Sequence, residues 1–221
     1  MKIALLGAES TGKTALAGAL AAQLRSQGRS VEVVAEVLRE WCAREGRTPR
    51  PQEQLSIARE QELRVDAAAA RAGIVIADTT AVMVAVYSAM LFADSSLLSF
   101  ALERQRRYDV TLVTGLDLPW VADGLQRDGP HVREPVDAQV RAALDSAGVA
   151  YRVVYGRGRE RLLHALNAIE SIATSDRLSC TGADSDSKTG AWSWSCGKCG
   201  DAACEHRLFS GLGLGKASSG G

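Results

Sequence analysis

The sequence predicts an α/β fold: a doubly wound, mainly parallel five-stranded sheet flanked by helices, with a short cysteine-rich appendage at the C-terminal end. Three observations lead there. Nearly continuous apolar runs at 2–6, 74–77 and 110–114 suit strands buried on both faces. Longer helix-forming stretches separate them, the alternation that builds parallel sheets. Between the first strand and the first helix stands Gly7-Ala8-Glu9-Ser10-Thr11-Gly12-Lys13-Thr14. This G-x-x-x-x-G-K-T pattern has the strand-then-helix setting that a phosphate-binding loop, or Walker A motif, requires.

The other elements follow in order. Residues 15–27 are rich in Ala and Leu, lack proline and give the first helix. A turn at Gly28-Arg29 leads to a second strand at 30–35. After the loop Arg47-Thr48-Pro49-Arg50-Pro51, residues 52–71 predict a long, mostly polar helix anchored by Leu55, Ile57, Ala58, Leu63 and Val65. Gly73 ends it, and the third strand closes on Asp78-Thr79-Thr80. Residues 81–92 are apolar on most sides, which predicts a buried helix with Tyr87 and Met90 in the core. The next helix, 97–108, ends in Arg104, Arg106 and Arg107, a solvated terminus that complements the helix dipole. Past the fourth strand come an open loop at 115–128, a helix near 136–147 and a fifth strand at 151–155. A closing helix at 159–173 turns Leu162, Leu163, Leu166 and Ile169 inward and His164 outward.

The chemistry starts from the glycines. Gly7 and Gly12 let the backbone curl so that successive N–H groups face phosphate oxygens, with the positive end of a helix behind them. The nucleotide-binding residues are then Gly7, Glu9, Ser10, Thr11, Gly12, Lys13 and Thr14. Lys13 would reach the β- and γ-phosphates, and the Thr14 hydroxyl would sit on Mg²⁺. Ligands of such sheets lie outside the carboxyl ends of strands. That singles out Glu36, Arg39 and Trp41 after the second strand and Asp78 after the third. Asp78 stands where a Walker-B-type acid belongs, as metal ligand or base, with Glu36 the alternative base; aspartate is equally a favoured helix N-cap. The loop carrying Trp120, Asp123 and Arg127 reads as a lid, and Arg127 and Arg133 could close on phosphates.

Twenty-six basic residues balance twenty-six acidic ones, so neither a nucleic-acid surface nor a polybasic membrane anchor is expected. The apolar runs fall short of a membrane span, and Met1-Lys2 leads straight into the first strand rather than a signal peptide. The expected location is the cytoplasm.

From residue 174 the composition changes. The predicted domains are a P-loop domain at 1–173, a Ser/Asp/Gly-rich linker at 174–191, a Cys₃His motif at 192–209 and a disordered end at 210–221. Cys196, Cys199, Cys204 and His206 offer four zinc ligands, making a structural site or a knob for docking a protein partner. Against zinc, Cys204 and His206 stand closer than common modules place them, and three thiols in a reducing cytosol need no metal.

Four separated motifs carry a family resemblance: G-A-E-S-T-G-K-T at 7–14, E-V-L-R-E at 36–40, I-A-D-T-T at 76–80 and L-P-W-V-A-D-G-L at 118–125. Together they resemble the ribosylnicotinamide (nicotinamide riboside) kinase domain of NadR-like proteins, an AAA-type P-loop family, over roughly residues 1–172. The resemblance implies a P-loop NTPase or kinase fold and ATP- and Mg²⁺-dependent phosphotransfer to the 5′-hydroxyl of a nucleoside. Glu36, Arg39, Trp120 and Asp123 would then contact the substrate, and Arg127 and Arg133 the phosphates. Two departures stand out. The family tends to show Asp-Thr-Asp where this chain has Asp78-Thr79-Thr80, and an Arg where it has Gln126 followed by Arg127. Two other readings stay open: a nucleotide-dependent regulatory ATPase or GTPase switch, and a kinase of another nucleoside or small metabolite.

Overall fold

A computed structural model of the chain describes residues 1–121 and 129–179, the last seven as backbone only. The chain divides into two units, Met1–Asp176 and Arg177–Gly221. The first unit contains the sheet. The elements are β1 (Lys2–Leu6), α1 (Lys13–Ser26), β2 (Val31–Val34), α2 (Val37–Glu45), α3 (Pro51–Ala69), β3 (Ile74–Asp78), α4 (Ala81–Phe92), α5 (Leu97–Gln105), β4 (Val110–Thr114), α6 (Arg133–Ser146), β5 (Arg152–Val154) and α7 (Gly158–Ser179), with a 3₁₀ turn at Pro130–Val132. The strands form one sheet in the order β2-β3-β1-β4-β5, with every pairing parallel.

That order fixes where a ligand can sit. From β1 the chain winds out to β2 and β3 on one side and to β4 and β5 on the other. The strand order therefore reverses beside β1, and a crevice opens at its carboxyl end. The three central strands are buried along almost their whole length, which is why they read as continuous apolar runs rather than alternating ones. Ile3 and Leu5 of β1, with Ile74 and Ile76 of β3, pack under Leu16 and Leu20 of α1 and Ala165 and Ile169 of α7. Leu6 and Val113 face the other layer, where α4 supplies Val82 through Val86. With helices on both faces, the sheet is doubly wound as expected.

The helix ends follow local rules. Pro51 opens α3 at a position whose N–H has no helical partner, and the Glu53 carboxylate accepts from the Arg50 N–H at 2.7 Å. Glu53 also takes two bonds from Arg47, at 2.8 and 2.7 Å, and the Arg47 guanidinium lies 4.8 Å over the Trp41 ring. The Arg47 bonds, then the Arg50 N–H, hold the Glu53 carboxyl at about 2, against an ordinary 4.5. A lowered pKa in the folded state means its stabilising effect is full above the ordinary value and is lost as pH falls from there through about 2. A carbon-detected titration of Glu53 should show that low midpoint, and Arg47→Ala should return it to the ordinary range.

Several expectations are corrected. Leu63 is 62% exposed, and Leu163, Met90 and the end of α4 are exposed too, so these apolar residues do not serve as anchors. α3 instead buries the polar Gln54, Gln61 and Glu62 along with Ile57, Ala58 and Val65. Arg104 is not solvated: it turns inward onto Asp66 and lies 3.8 Å from Glu62. His164 is half-buried, its Nδ1 within 3.1 Å of the Tyr155 carbonyl. α6 starts three residues before its apolar stripe, because Pro130 sets up a turn that runs directly into Arg133. α7 runs to Ser179, into the stretch expected to be linker; no glycine or proline interrupts it before Gly182. No helix of the described residues is long and apolar enough to cross a membrane.

Candidate nucleotide and acceptor site

The loop after β1 adopts a backbone that favours glycine at positions 7 and 12. Gly7 has φ of 138°, and a Cβ there would lie 2.3 Å from the Thr114 hydroxyl of β4. Ser10 and Gly12 are also left-handed, at 57° and 78°. The loop is pinned from beneath. Thr11 Oγ1 donates to the Ala8 carbonyl at 2.8 Å and accepts from Thr114 Oγ1 at 2.6 Å, which also lies 3.1 Å from the Leu6 carbonyl. A loop held this firmly is pre-organised for phosphate binding. Lys13, only 8% exposed, lays its ammonium on the carbonyl oxygens of Gly7 and Ala8, both at 2.8 Å.

Four of the predicted residues converge beside it. The Thr14 hydroxyl donates to Asp78 Oδ2 at 2.6 Å, and Arg39 Nη1 donates to Thr14 Oγ1 at 3.2 Å. Arg39 Nη2 in turn lies 3.2 Å from Glu36 Oε2. Asp78, Thr14, Arg39 and Glu36 thus form one run of contacts from the tip of β3, across the start of α1, to the start of α2. Asp78 is not the helix cap: it is the last residue of β3, and Thr80 caps α4 by accepting from the Val82 N–H. Thr80 is buried and also donates to Gln105 Oε1 at 2.7 Å. A helix cap therefore occupies the position where the resemblance has a second aspartate.

The residues fit a hard cation. Asp78 Oδ1 is buried and has no hydrogen-bond partner among the described residues, and the Thr14 oxygen adjoins Oδ2. Mg²⁺ is bound by oxygen ligands such as these, together with phosphates and water. Among the described residues, no group of three or more His, Cys, Asp or Glu forms a cage for a metal.

The segment leaving β4 lies over the loop. Leu118 Cδ1 sits 3.0 Å from where a Gly12 Cβ would be. Ser10 Oγ donates to the Val121 carbonyl at 3.0 Å and accepts from the Val121 N–H at 2.8 Å. Trp120 is half-buried, and its Nε1 is buried without a hydrogen-bond partner among the described residues. Arg133 is buried at the start of α6, with Nη2 3.3 Å from the Leu116 carbonyl. Asp123 and Arg127 lie outside the described residues, as do Cys196, Cys199, Cys204 and His206.

Sequence reasoning missed Arg161. This side chain, 4% exposed, joins the ends of β4 and β5: it donates to the Gly156 and Gly115 carbonyls and pairs with Asp117 at 3.2 Å. Burial lowers its pKa, Asp117 works against that, and the nearby Arg133 charge adds to the lowering. Its signal is positional, since Arg161, Ala165 and Ile169 fall on one face of α7, where a buried stripe should be apolar. Gln61 and Glu62 were missed for the same reason.

A family model described as an AAA domain matches residues 2–161. Comparison with curated proteins found no match. Among solved structures, the crystal structure of NadR protein in complex with NR is similar, with a TM-score of 0.60 and 19% sequence identity. The match covers 85% of this chain and 52% of that one, so this chain spans about half the length of the solved protein. At that identity the likeness speaks for the fold, and the fold agrees with the parallel sheet and phosphate-binding loop described above. Because the family model spans well over half of the sequence, the chain belongs to the AAA-domain family of P-loop proteins.

Proposed function

We propose that the protein is an ATP-dependent small-molecule kinase that phosphorylates the 5′-hydroxyl of a nucleoside, with nicotinamide riboside as the first candidate. The observation that carries the reading is the continuous run Asp78–Thr14–Arg39–Glu36 at the mouth of the phosphate loop. A switch that only binds and hydrolyses a nucleotide needs an acid–arginine–tryptophan wall less than an enzyme that must orient a polyhydroxylated acceptor. The L-P-W-V-A-D-G-L segment adds support, because it brings Trp120 next to the loop.

Phosphoryl transfer depends on positioning and charge neutralisation rather than on covalent help from the protein. In this reading Lys13 and the loop amides hold the β- and γ-phosphates. Thr14 and Asp78 hold Mg²⁺, which when bound neutralises charge on the phosphate oxygens. The acceptor's hydroxyl proton goes to Asp78 where that carboxylate serves as base instead of metal ligand, and otherwise to Glu36. Arg39 and Asp123 bind the sugar hydroxyls, and Arg127 and Arg133 close on the transferring group. Trp120 offers its face to the base; for a cationic ring this contributes about 0.5–2 kcal/mol.

The general test is a panel of nucleosides incubated with Mg-ATP, with phosphorylated product identified by mass. ATP turnover that ignores every nucleoside, or responds only to a protein partner, would move the reading to a regulatory switch. Within the panel, Trp120→Ala should raise KM for the nucleoside about tenfold or more while leaving KM for ATP nearly unchanged, the signature of lost ground-state binding. A variant that simply melts at lower temperature with both constants intact would make Trp120 a packing residue only.

A further inference from the structure

Two consecutive buried polar residues on α3 lie outside the site yet hold both of its acid-bearing corners. Gln61, 1% exposed, accepts from the Val37 N–H through Oε1 at 2.9 Å and donates from Nε2 to the Ala35 carbonyl at 3.3 Å. Those two backbone groups flank Glu36. The Glu36 side chain makes no cap bond to its own helix, so the first N–H of α2 is satisfied from α3 instead. Glu62, 3% exposed, accepts from the Ala81 N–H through Oε1 at 2.9 Å, at the first residue of α4 and three residues beyond Asp78. Its other oxygen accepts from the Tyr108 hydroxyl at 3.1 Å and faces Arg104 Nε at 3.8 Å.

We infer that Gln61 and Glu62 are positioning residues that set the distance between the Glu36/Arg39 corner and the Asp78 corner. Neighbouring residues on a helix project about 100° apart. One turn of α3 therefore reaches α2 with one side chain and α4 with the next. The two corners follow neighbouring strands, and beyond the Val34–Ala77 pairing of β2 with β3 the described contacts that link them run through Thr14 and Arg39, whose side chains are solvent-exposed. The Asp78 corner also needs a hold. Thr79, a β-branched residue, sits at φ of 75°, a conformation such residues keep only when their surroundings enforce it. The enforcing bonds are the Thr79 N–H to the Leu5 carbonyl at 3.1 Å, the Ala81 N–H to Glu62, and Thr80 to Gln105. Burial raises the Glu62 carboxyl, while the Ala81 N–H, Tyr108 and Arg104 oppose that rise. A costly group is thus kept in the one place where it can reach Ala81.

The inference rests on the kinase reading for its activity arm, so the test has a second arm that needs no acceptor. Gln61→Leu removes both bonds at similar size. Gln61→Glu keeps the acceptor for Val37 and loses the donor to Ala35. Glu62→Leu leaves the Ala81 N–H unpaired, and Glu62→Gln is the conservative rescue, because its carbonyl can still accept from Ala81. In the full chain, Gln61→Leu and Glu62→Leu should lower kcat by about 10- to 100-fold, the range typical of residues that orient a reactive group. KM for ATP should stay within about twofold, and Glu62→Gln should recover most of the rate. Independently of activity, amide hydrogen exchange should quicken at 36–40 in Gln61→Leu and at 78–82 in Glu62→Leu, each without the other. If Gln61→Leu fails to fold, Gln61→Met, which also removes both bonds, carries the same comparison at residues 36–40. Unchanged exchange at both corners in folded variants, or kcat within twofold of the parent, overturns the inference. A wild-type protein that phosphorylates no nucleoside overturns the kinase reading and leaves the exchange arm to decide the positioning.

Discussion

Lys13→Ala should abolish phosphoryl transfer, with a fall in kcat of about 10²–10³-fold or more. The ammonium is nearly buried and already seated on the loop carbonyls of Gly7 and Ala8, so it is poised at the phosphate cradle without needing to be recruited. No other residue of 7–14 carries positive charge, so nothing in the loop can replace it. Lys13→Met is the companion variant, since it keeps the apolar stem and removes only the charge. Both should bind ATP more weakly and stay folded, as judged by melting temperature. Appreciable turnover in a folded Lys13→Met would mean that the phosphate charge is met from outside the loop.

The second large effect is expected at Asp78. Asp78→Asn keeps the shape and the Thr14 contact but removes the negative charge and turns one buried oxygen into an N–H donor. A loss specific to the reacting state lowers kcat and kcat/KM together and leaves ground-state binding largely alone. We expect kcat to fall about 100-fold while the ATP dissociation constant moves by no more than a few-fold. Near-normal turnover would transfer the proton-accepting role to Glu36, whose side chain is almost as well shielded and is held by Arg39.

Much of the fold was legible because it rests on local signals. The buried strands β1, β3 and β4 announce themselves as apolar runs, and eight residues are enough for the phosphate loop, since its backbone needs glycine at 7 and 12. Asp78, Glu36 and Arg39 could be picked out because a parallel sheet gathers the ends of its strands. Their joining through Thr14 is a fact of three dimensions that no spacing states. α3 was harder. Residues 54, 57, 58, 61, 65 and 68 fall on one helical stripe and are all buried, so Gln61 carries the signature of a buried polar group with assigned partners at both ends. Counting apolar residues without regard to that stripe brought in Leu63, which lies off it and faces solvent. Arg104 misled in the opposite direction: a cationic helix end usually means solvent, and here Asp66 and Glu62 draw it in.

The phosphate loop and the acid–arginine run are proposed to act together on one acceptor. The most direct test is to follow γ-labelled ATP with Mg²⁺ and nicotinamide riboside and ask where the label goes. Label is expected in a nucleoside monophosphate, formed in step with ADP and lost in Asp78→Asn. Label found only in inorganic phosphate, at a rate that neither nicotinamide riboside nor any other nucleoside changes, would contradict the joint action of loop and run.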